Sequence, residues 1–282
     1  MADQSTAYNL KRKRATQQET DQPIIELTVK PPQAKILASK KRFIMVNAGR
    51  RFGKSYLSGI AILRQAIEKP GSVIWYVAPT AKMAKKIMWD SWLPNNIPKS
   101  YVAETNKVDG TYKFINGSIL YVLSADDPDN LRGSGVDLMI LDECAFMKEG
   151  TYEVVYPVLS DKYHAGKGIF ISTPKGYNWF KKRWDKAKED PEHWDCFQFT
   201  TIDGGNVSEE EIEEAKRQMS PKMFAQEYLA SFETLSSRVY DQYNRELNLC
   251  ELDDTWGLGD LHIGIDFNVN PMTAAIAVEE KV

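Results

Sequence analysis

What this chain has little of narrows its chemistry first. Of its 282 residues only three are cysteine, Cys144, Cys196 and Cys250, and only three are histidine, His164, His193 and His262. No C-x-x-C spacing occurs, so a zinc site of the common kinds is not expected. An odd number of scattered cysteines fits a reducing compartment better than a secreted disulfide scaffold. No apolar run approaches the roughly 18 residues of a membrane span, and the polar N-terminus lacks the apolar core of a secretory leader. Net positive charge is missing too, because 36 Lys and Arg face 39 Asp and Glu. Composition therefore announces no nucleic-acid binder, although a local basic patch is compatible with that balance. The expectation is a cytosolic globular protein, long enough for one large α/β domain or for one domain and part of another.

Along the chain, residues 1–22 are polar and carry the basic run Lys11-Arg12-Lys13-Arg14. They are expected to form a flexible tail, either merely solvated or serving as a docking arm for DNA or a protein. From Phe43 the pattern alternates between short apolar runs at 43–46, 73–78, 136–141 and 168–172 and stretches of helical spacing at 55–67 and 81–92. Short, partly β-branched apolar runs separated by helices predict buried parallel strands. Asn116-Gly117 between residues 112–115 and 118–124 predicts a hairpin. The sum is an α/β fold, a mainly parallel sheet with helices on both faces and one antiparallel insertion. After residue 200 the acidic opening Ser208-Glu209-Glu210-Glu211 and then Ser220-Pro221 predict two helices. Two strands, 261–267 and 272–278, follow near the end.

Ala48-Gly49-Arg50-Arg51-Phe52-Gly53-Lys54-Ser55 comes directly after an apolar strand and opens a helix. Backbone N–H groups of such a loop cradle phosphates, the lysine meets β- and γ-phosphates, and the serine hydroxyl ligates Mg²⁺. Ala48 replaces the usual first glycine, so the loop is a variant. Asp142-Glu143 closes the apolar run 136–141. Asp142 is placed to hold Mg²⁺ and Glu143 to activate water, although an acidic pair also opens helices. Ser172-Thr173 ends a third strand, where a γ-phosphate sensor belongs, and Pro174-Lys175-Gly176 equally suits a plain turn. Arg50 can reach the γ-phosphate or Glu143, and Arg51 beside it is the competing choice. Arg132, on the glycine-flanked loop before the Asp142 strand, is either a solvated charge or an arginine finger.

Together these residues resemble the large subunit of tailed-bacteriophage terminases over residues 30–282. Gln33, after Pro32, matches that family's adenine-recognising glutamine, and 48–55 its Walker A loop with Arg50 at the characteristic arginine. Leu131-Arg132-Gly133 matches the segment of the trans-acting finger, 140–143 Walker B with the catalytic glutamate, and Ser172-Thr173-Pro174 the coupling motif. The resemblance implies a P-loop NTPase domain of the ASCE/RecA-like kind over 23–203, a helical linker subdomain over 204–257 and the start of an RNase H-like nuclease from 258. Asp266 would be the first nuclease metal ligand, for Mg²⁺ or Mn²⁺. The sequence ends before further acidic ligands, and two-metal cleavage needs several carboxylates, so a fragment or truncated product without nuclease activity is expected. The resemblance further implies ATP and Mg²⁺ as ligands and double-stranded DNA, a portal protein and the small terminase subunit as partners. It places a homo-oligomeric ring, a pentamer, in the cytoplasm of the infected bacterial host, transiently docked on the procapsid.

A helicase-like remodelling ATPase is the competing enzyme. It would need a second nucleotide-binding domain, and nothing after residue 200 reads as one. A nucleotide-binding module without activity would leave Glu143 idle beside an intact Lys54, Ser55 and Asp142.

Overall fold

The computed structural model describes residues 6–8, 25–133, 135–160, 166–233, 261–266 and 273–278, with backbone alone at 6–8, 261–266 and 273–278. The chain divides into two compact units, Met1–Leu235 and Ser236–Val282. In the first, β1 (Thr6–Tyr8) pairs antiparallel with β2 (Leu27–Val29). The short helix α1 (Pro31–Leu37) then leads into β3 (Phe43–Ala48) and the long helix α2 (Lys54–Glu68). The strands β4 (Val73–Ala78), β5 (Val102–Asn106), β6 (Thr111–Phe114), β7 (Ile119–Ser124), β8 (Leu138–Asp142), β9 (Lys167–Ser172) and β10 (Trp194–Phe199) complete the main sheet.

That sheet has eight strands in the order β10-β3-β9-β8-β4-β7-β6-β5. Neighbours from β10 through β7 are parallel, and β6 and β5 add an antiparallel edge. The expected hairpin is the β6–β7 connection, with Gly117 at φ 84°. β9 lies between β3, which carries the glycine loop, and β8, which carries Asp142, so the tips of three adjacent parallel strands converge at one end of the sheet.

The central strands are apolar at nearly every position because both faces are covered. Alternate residues go to opposite sides, as the period of two requires. Ile44, Val46, Ile74, Tyr76, Ile140 and Ile171 join α1 and α2 in one core. Phe43, Met45, Val77, Met139 and Phe170 join α5 (Thr151–Leu159) and α6 (Trp179–Glu189) in the other. Each fully buried side chain of this size contributes about 1.5–3 kcal/mol, so the two cores fix the strand register and, with it, the tips.

The predicted helix over 81–92 differs in form. It is α3 (Ala81–Ala84), a wide π-helical stretch Lys85–Trp92, and α4 (Leu93–Asn96). After β10 come α7 (Thr201–Gly204), α8 (Glu209–Gln218) and α9 (Pro221–Leu229). Ser208 caps α8 by accepting from Glu211 N, and three acids fill its first turn against the positive end of the helix dipole. In the second unit, β11 (Leu261–Asp266) and β12 (Thr273–Val278) pair antiparallel with Asp266 opposite Thr273. The basic run at 11–14 lies outside the described residues.

Candidate functional site

The loop between β3 and α2 is shaped by its backbone. Gly53 adopts φ 98° and precedes α2, and a β-carbon there would lie 2.6 Å from Gln33 Nε2. Gly49 is crowded as well, since a β-carbon would lie 2.6 Å from both Thr201 Oγ1 and Tyr228 O. Ala48 is the last residue of β3, fully buried and without positive φ, so nothing at that position requires the missing glycine. Arg51 takes a left-handed φ of 62° without being glycine, a conformation that persists only where the surroundings impose it.

Lys54 opens α2 and is buried. Its ammonium donates to Thr173 Oγ1 at 2.6 Å and to the carbonyls of Ala48 and Gly49 at 3.3 and 3.2 Å. It also lies 3.3 Å from Glu143 Oε1. Glu143 follows the tip of β8 with φ 52°, and its other oxygen accepts from Thr173 N at 3.1 Å. The Ser172 hydroxyl stands 3.4 Å from that oxygen and 2.8 Å from Thr173 O. The predicted lysine, glutamate, serine and threonine thus meet in one cluster, although they lie up to 119 residues apart in the chain.

Asp142 is fully buried beside them. Its carboxylate accepts from Tyr76 Oη at 2.8 Å and from Glu143 N at 3.0 Å. Burial, then the neighbouring Glu143 charge, pushes its carboxyl up to about 6, against hydrogen bonds from Ser55 and Tyr76 and the charge of Lys54. Burial and Asp142 drive the Tyr76 phenol upward, so it remains a donor. Cys144 next to this pair is buried and its thiol is pushed upward, chiefly by burial, so it is no nucleophile.

The Ser55 hydroxyl and the Asp142 carboxylate are hard oxygen donors lying beside each other. That set fits Mg²⁺, which typically takes one or two protein oxygens and completes its shell with phosphate and water. Among the described residues no group of three or more His, Cys, Asp or Glu side chains forms a metal cage.

Within the first unit, Gln33, Arg50 and Arg132 lie apart from this cluster. Gln33 is buried on α1, and its amide accepts from Lys30 N at 3.2 Å and donates to Gly53 O at 3.3 Å. Arg50 does not meet Glu143. Its Nε lies 3.2 Å from Glu227 Oε2 on α9, and its backbone N–H donates to Glu227 O at 2.7 Å. Arg132 pairs with Asp129 at 2.8 Å in an exposed pair on its own loop. Asp266 ends β11 in the other unit.

Sequence reasoning missed Tyr76, Glu227, Thr201 and Asn206. Tyr76 sits inside an apolar strand, and the other three come from segments without a motif. The one available sign was a tyrosine within a buried strand, since a buried phenol needs a partner.

The model of the family "Terminase large subunit, T4likevirus-type, N-terminal" matches residues 45–246. This chain belongs to the terminase large-subunit family. The large terminase subunit of Escherichia phage T5 is 30% identical over 228 residues, which are 77% of this chain and 51% of that protein. The subunit of Thermus phage G20c is 32% identical over 152 residues, 47% of this chain and 31% of that protein. This terminase chain therefore spans about half the length of the T5 relative and less of the Thermus phage one. Among solved structures, the Thermus phage P74-26 large terminase ATPase domain matches with a TM-score of 0.61 at 24% identity, covering 71% of this chain and 92% of that one. The large terminase of another thermophilic bacteriophage, solved in complex with ADP, matches with a TM-score of 0.63 at 19% identity, covering 88% of this chain and 64% of that one. At such identities these structures speak for the fold.

Proposed function

We propose that this terminase chain binds Mg-ATP and hydrolyses it to drive double-stranded DNA into a procapsid. The observation that carries the reading is the meeting of Lys54, Glu143, Ser172 and Thr173 at three adjacent strand tips, beside buried Asp142. Lys54 binds the β- and γ-phosphates, helped by the N–H groups of Arg51, Gly53 and Ser55, while those of Gly49 and Arg50 donate to Phe199 O and Glu227 O. Ser55 and Asp142 would hold Mg²⁺, which supplies charge neutralisation to the phosphate oxygens when bound. Phosphate arriving at Lys54 competes with Glu143 for the ammonium, and the released carboxylate accepts a proton from the attacking water. Ser172 and Thr173 report the γ-phosphate to the sheet, and Gln33 reads adenine from the far side of the loop.

Arg132 acts on a neighbouring subunit's nucleotide in a pentameric ring. Its exposed partner supports this, because a surface pair with Asp129 is worth at most about 1 kcal/mol and breaks easily. Residues 23–203 are the ATPase domain and 204–257 a helical linker, of which 23–24 and 234–257 lie outside the described residues. Residues from 258 begin an RNase H-like domain, in which Asp266 is a ligand for Mg²⁺ or Mn²⁺. Portal protein and small terminase subunit are the partners on the procapsid, in the host cytoplasm. No helix among the described residues is long and apolar enough to cross a membrane.

The test follows ATP consumption and strand separation together on blunt duplex DNA. Turnover that stops on adding EDTA while the duplex stays paired is expected. Robust unwinding, or turnover indifferent to EDTA, overturns the reading.

A further inference from the structure

The far side of the glycine loop is held by two residues that no motif contains. Asn206 Nδ2 donates to Arg51 O at 2.8 Å and to Phe52 O at 3.3 Å. Its other amide atom, Oδ1, accepts from Lys30 Nζ at 2.6 Å. The same ammonium donates to Gly204 O at 2.7 Å and Gly205 O at 2.9 Å, at the end of α7. Gly204 passes so close that a β-carbon would lie 2.6 Å from Phe52 Cα. Phe52 itself is buried and stacks on Phe199 at 5.2 Å. The segment after β10 is thus seated on the outside of the loop.

The chemistry of this seat is directional. An ammonium donates and never accepts, so Lys30 fixes which end of the Asn206 amide faces it. The NH₂ end is then committed to the two loop carbonyls. In a trans peptide the C=O and the following N–H point in opposite directions. Holding the Phe52 carbonyl outward therefore turns the Gly53 N–H inward, while the Phe52 N–H donates back to Gly49 O at 3.4 Å. Gln33 and the first turn of α2 do the same for the next unit, through Gly53 O. Consecutive inward N–H groups are what an anion-binding nest requires. The arrangement also accounts for Arg51, whose left-handed backbone needs an external restraint.

We propose that Lys30 and Asn206 are positioning residues for nucleotide phosphate binding, Lys30 orienting the Asn206 amide and Asn206 setting the peptide planes of the loop. The proposal rests on the reading of this loop as an ATP site.

The test measures Mg-ATP binding by calorimetry and steady-state hydrolysis on the 282-residue chain and its variants. Asn206→Leu removes the donor without adding charge and is expected to raise the dissociation constant roughly three- to tenfold. KM should rise in step while kcat changes less, which a merely structural loss would not produce. Asn206→Asp keeps an acceptor for Lys30 but cannot donate to the carbonyls, and it also binds ATP more weakly. Lys30→Met weakens binding, and combining it with Asn206→Leu adds little, because Lys30 acts through Asn206. If both Asn206 variants bind Mg-ATP like the wild type while Lys54→Ala abolishes binding, the proposal is wrong and the ATP site stands. If Lys30→Met alone binds normally, its part is wrong. A wild-type chain that binds no Mg-ATP removes the ATP reading, and the proposal with it.

Discussion

Asp142 accepts hydrogen bonds from Glu143 N and from the Tyr76 hydroxyl, which reaches it from the adjacent strand β4. Taking a hydrogen-bond donor away from a buried acceptor costs about 1–3 kcal/mol. Tyr76→Phe is therefore expected to lower stability by that amount in a denaturant titration and to raise the Mg²⁺ concentration needed for half-maximal ATP turnover. An unchanged denaturation midpoint would show that the bond contributes nothing. At this scale the sequence was legible wherever chemistry restricts the residue type. Lys54, Ser55, Asp142 and Glu143 stand at fixed offsets from strand ends, and the strand order brings them together. Arg50 was less legible because its partner, Glu227, lies on α9, far beyond the reach of any local pattern. Tyr76 was hidden by an apolar strand and Asn206 by a turn, since both act through tertiary placement.

Among the elements, the strands that fill the centre of the sheet were readable because burial on both faces leaves an unbroken apolar run, as in β4 and β9. The edge strands β10 and β5 were not, because an edge strand is half solvated and mixes polar residues into its pattern, as Trp194–Phe199 does. The stretch after β4 shows periodicity succeeding in type and failing in detail. Leu93 N–H donates to Met88 O, five residues back, so the turn is wider than an α-helix. Trp92 at its end lies against Gly59 in the middle of α2, where a β-carbon would sit 2.0 Å from Trp92 Cε2. Glycine is otherwise unfavourable inside a helix. Gly59→Ala gains helix propensity yet overpacks this contact, and it is expected to destabilise the chain by about 1–3 kcal/mol in thermal denaturation. Adding Trp92→Leu should recover part of that loss. A Gly59→Ala chain more stable than the wild type would refute the packing account.

For the whole molecule, the cluster around Lys54 gathers the Lys54 ammonium, the Glu143 carboxylate and the Thr173 hydroxyl, while the exposed Arg132 side chain lies outside it. If Arg132 completes a neighbour's site, Arg132→Ala and Glu143→Ala should each be inactive alone. Mixed, they should recover hydrolysis, because some interfaces then combine an intact Glu143 with an intact Arg132. Activity absent at every mixing ratio would place Arg132 in its own subunit's chemistry or outside it.

Hydrolysis at this site is proposed to run through Glu143, and one experiment isolates that step. Mg-ATP binding and phosphate release are followed side by side in the wild type and in Glu143→Ala. Loss of a general base should slow phosphate release by about 10²–10⁴-fold while leaving Mg-ATP binding largely intact, because Lys54, Ser55 and Asp142 remain. Phosphate release by Glu143→Ala at the wild-type rate would contradict the account.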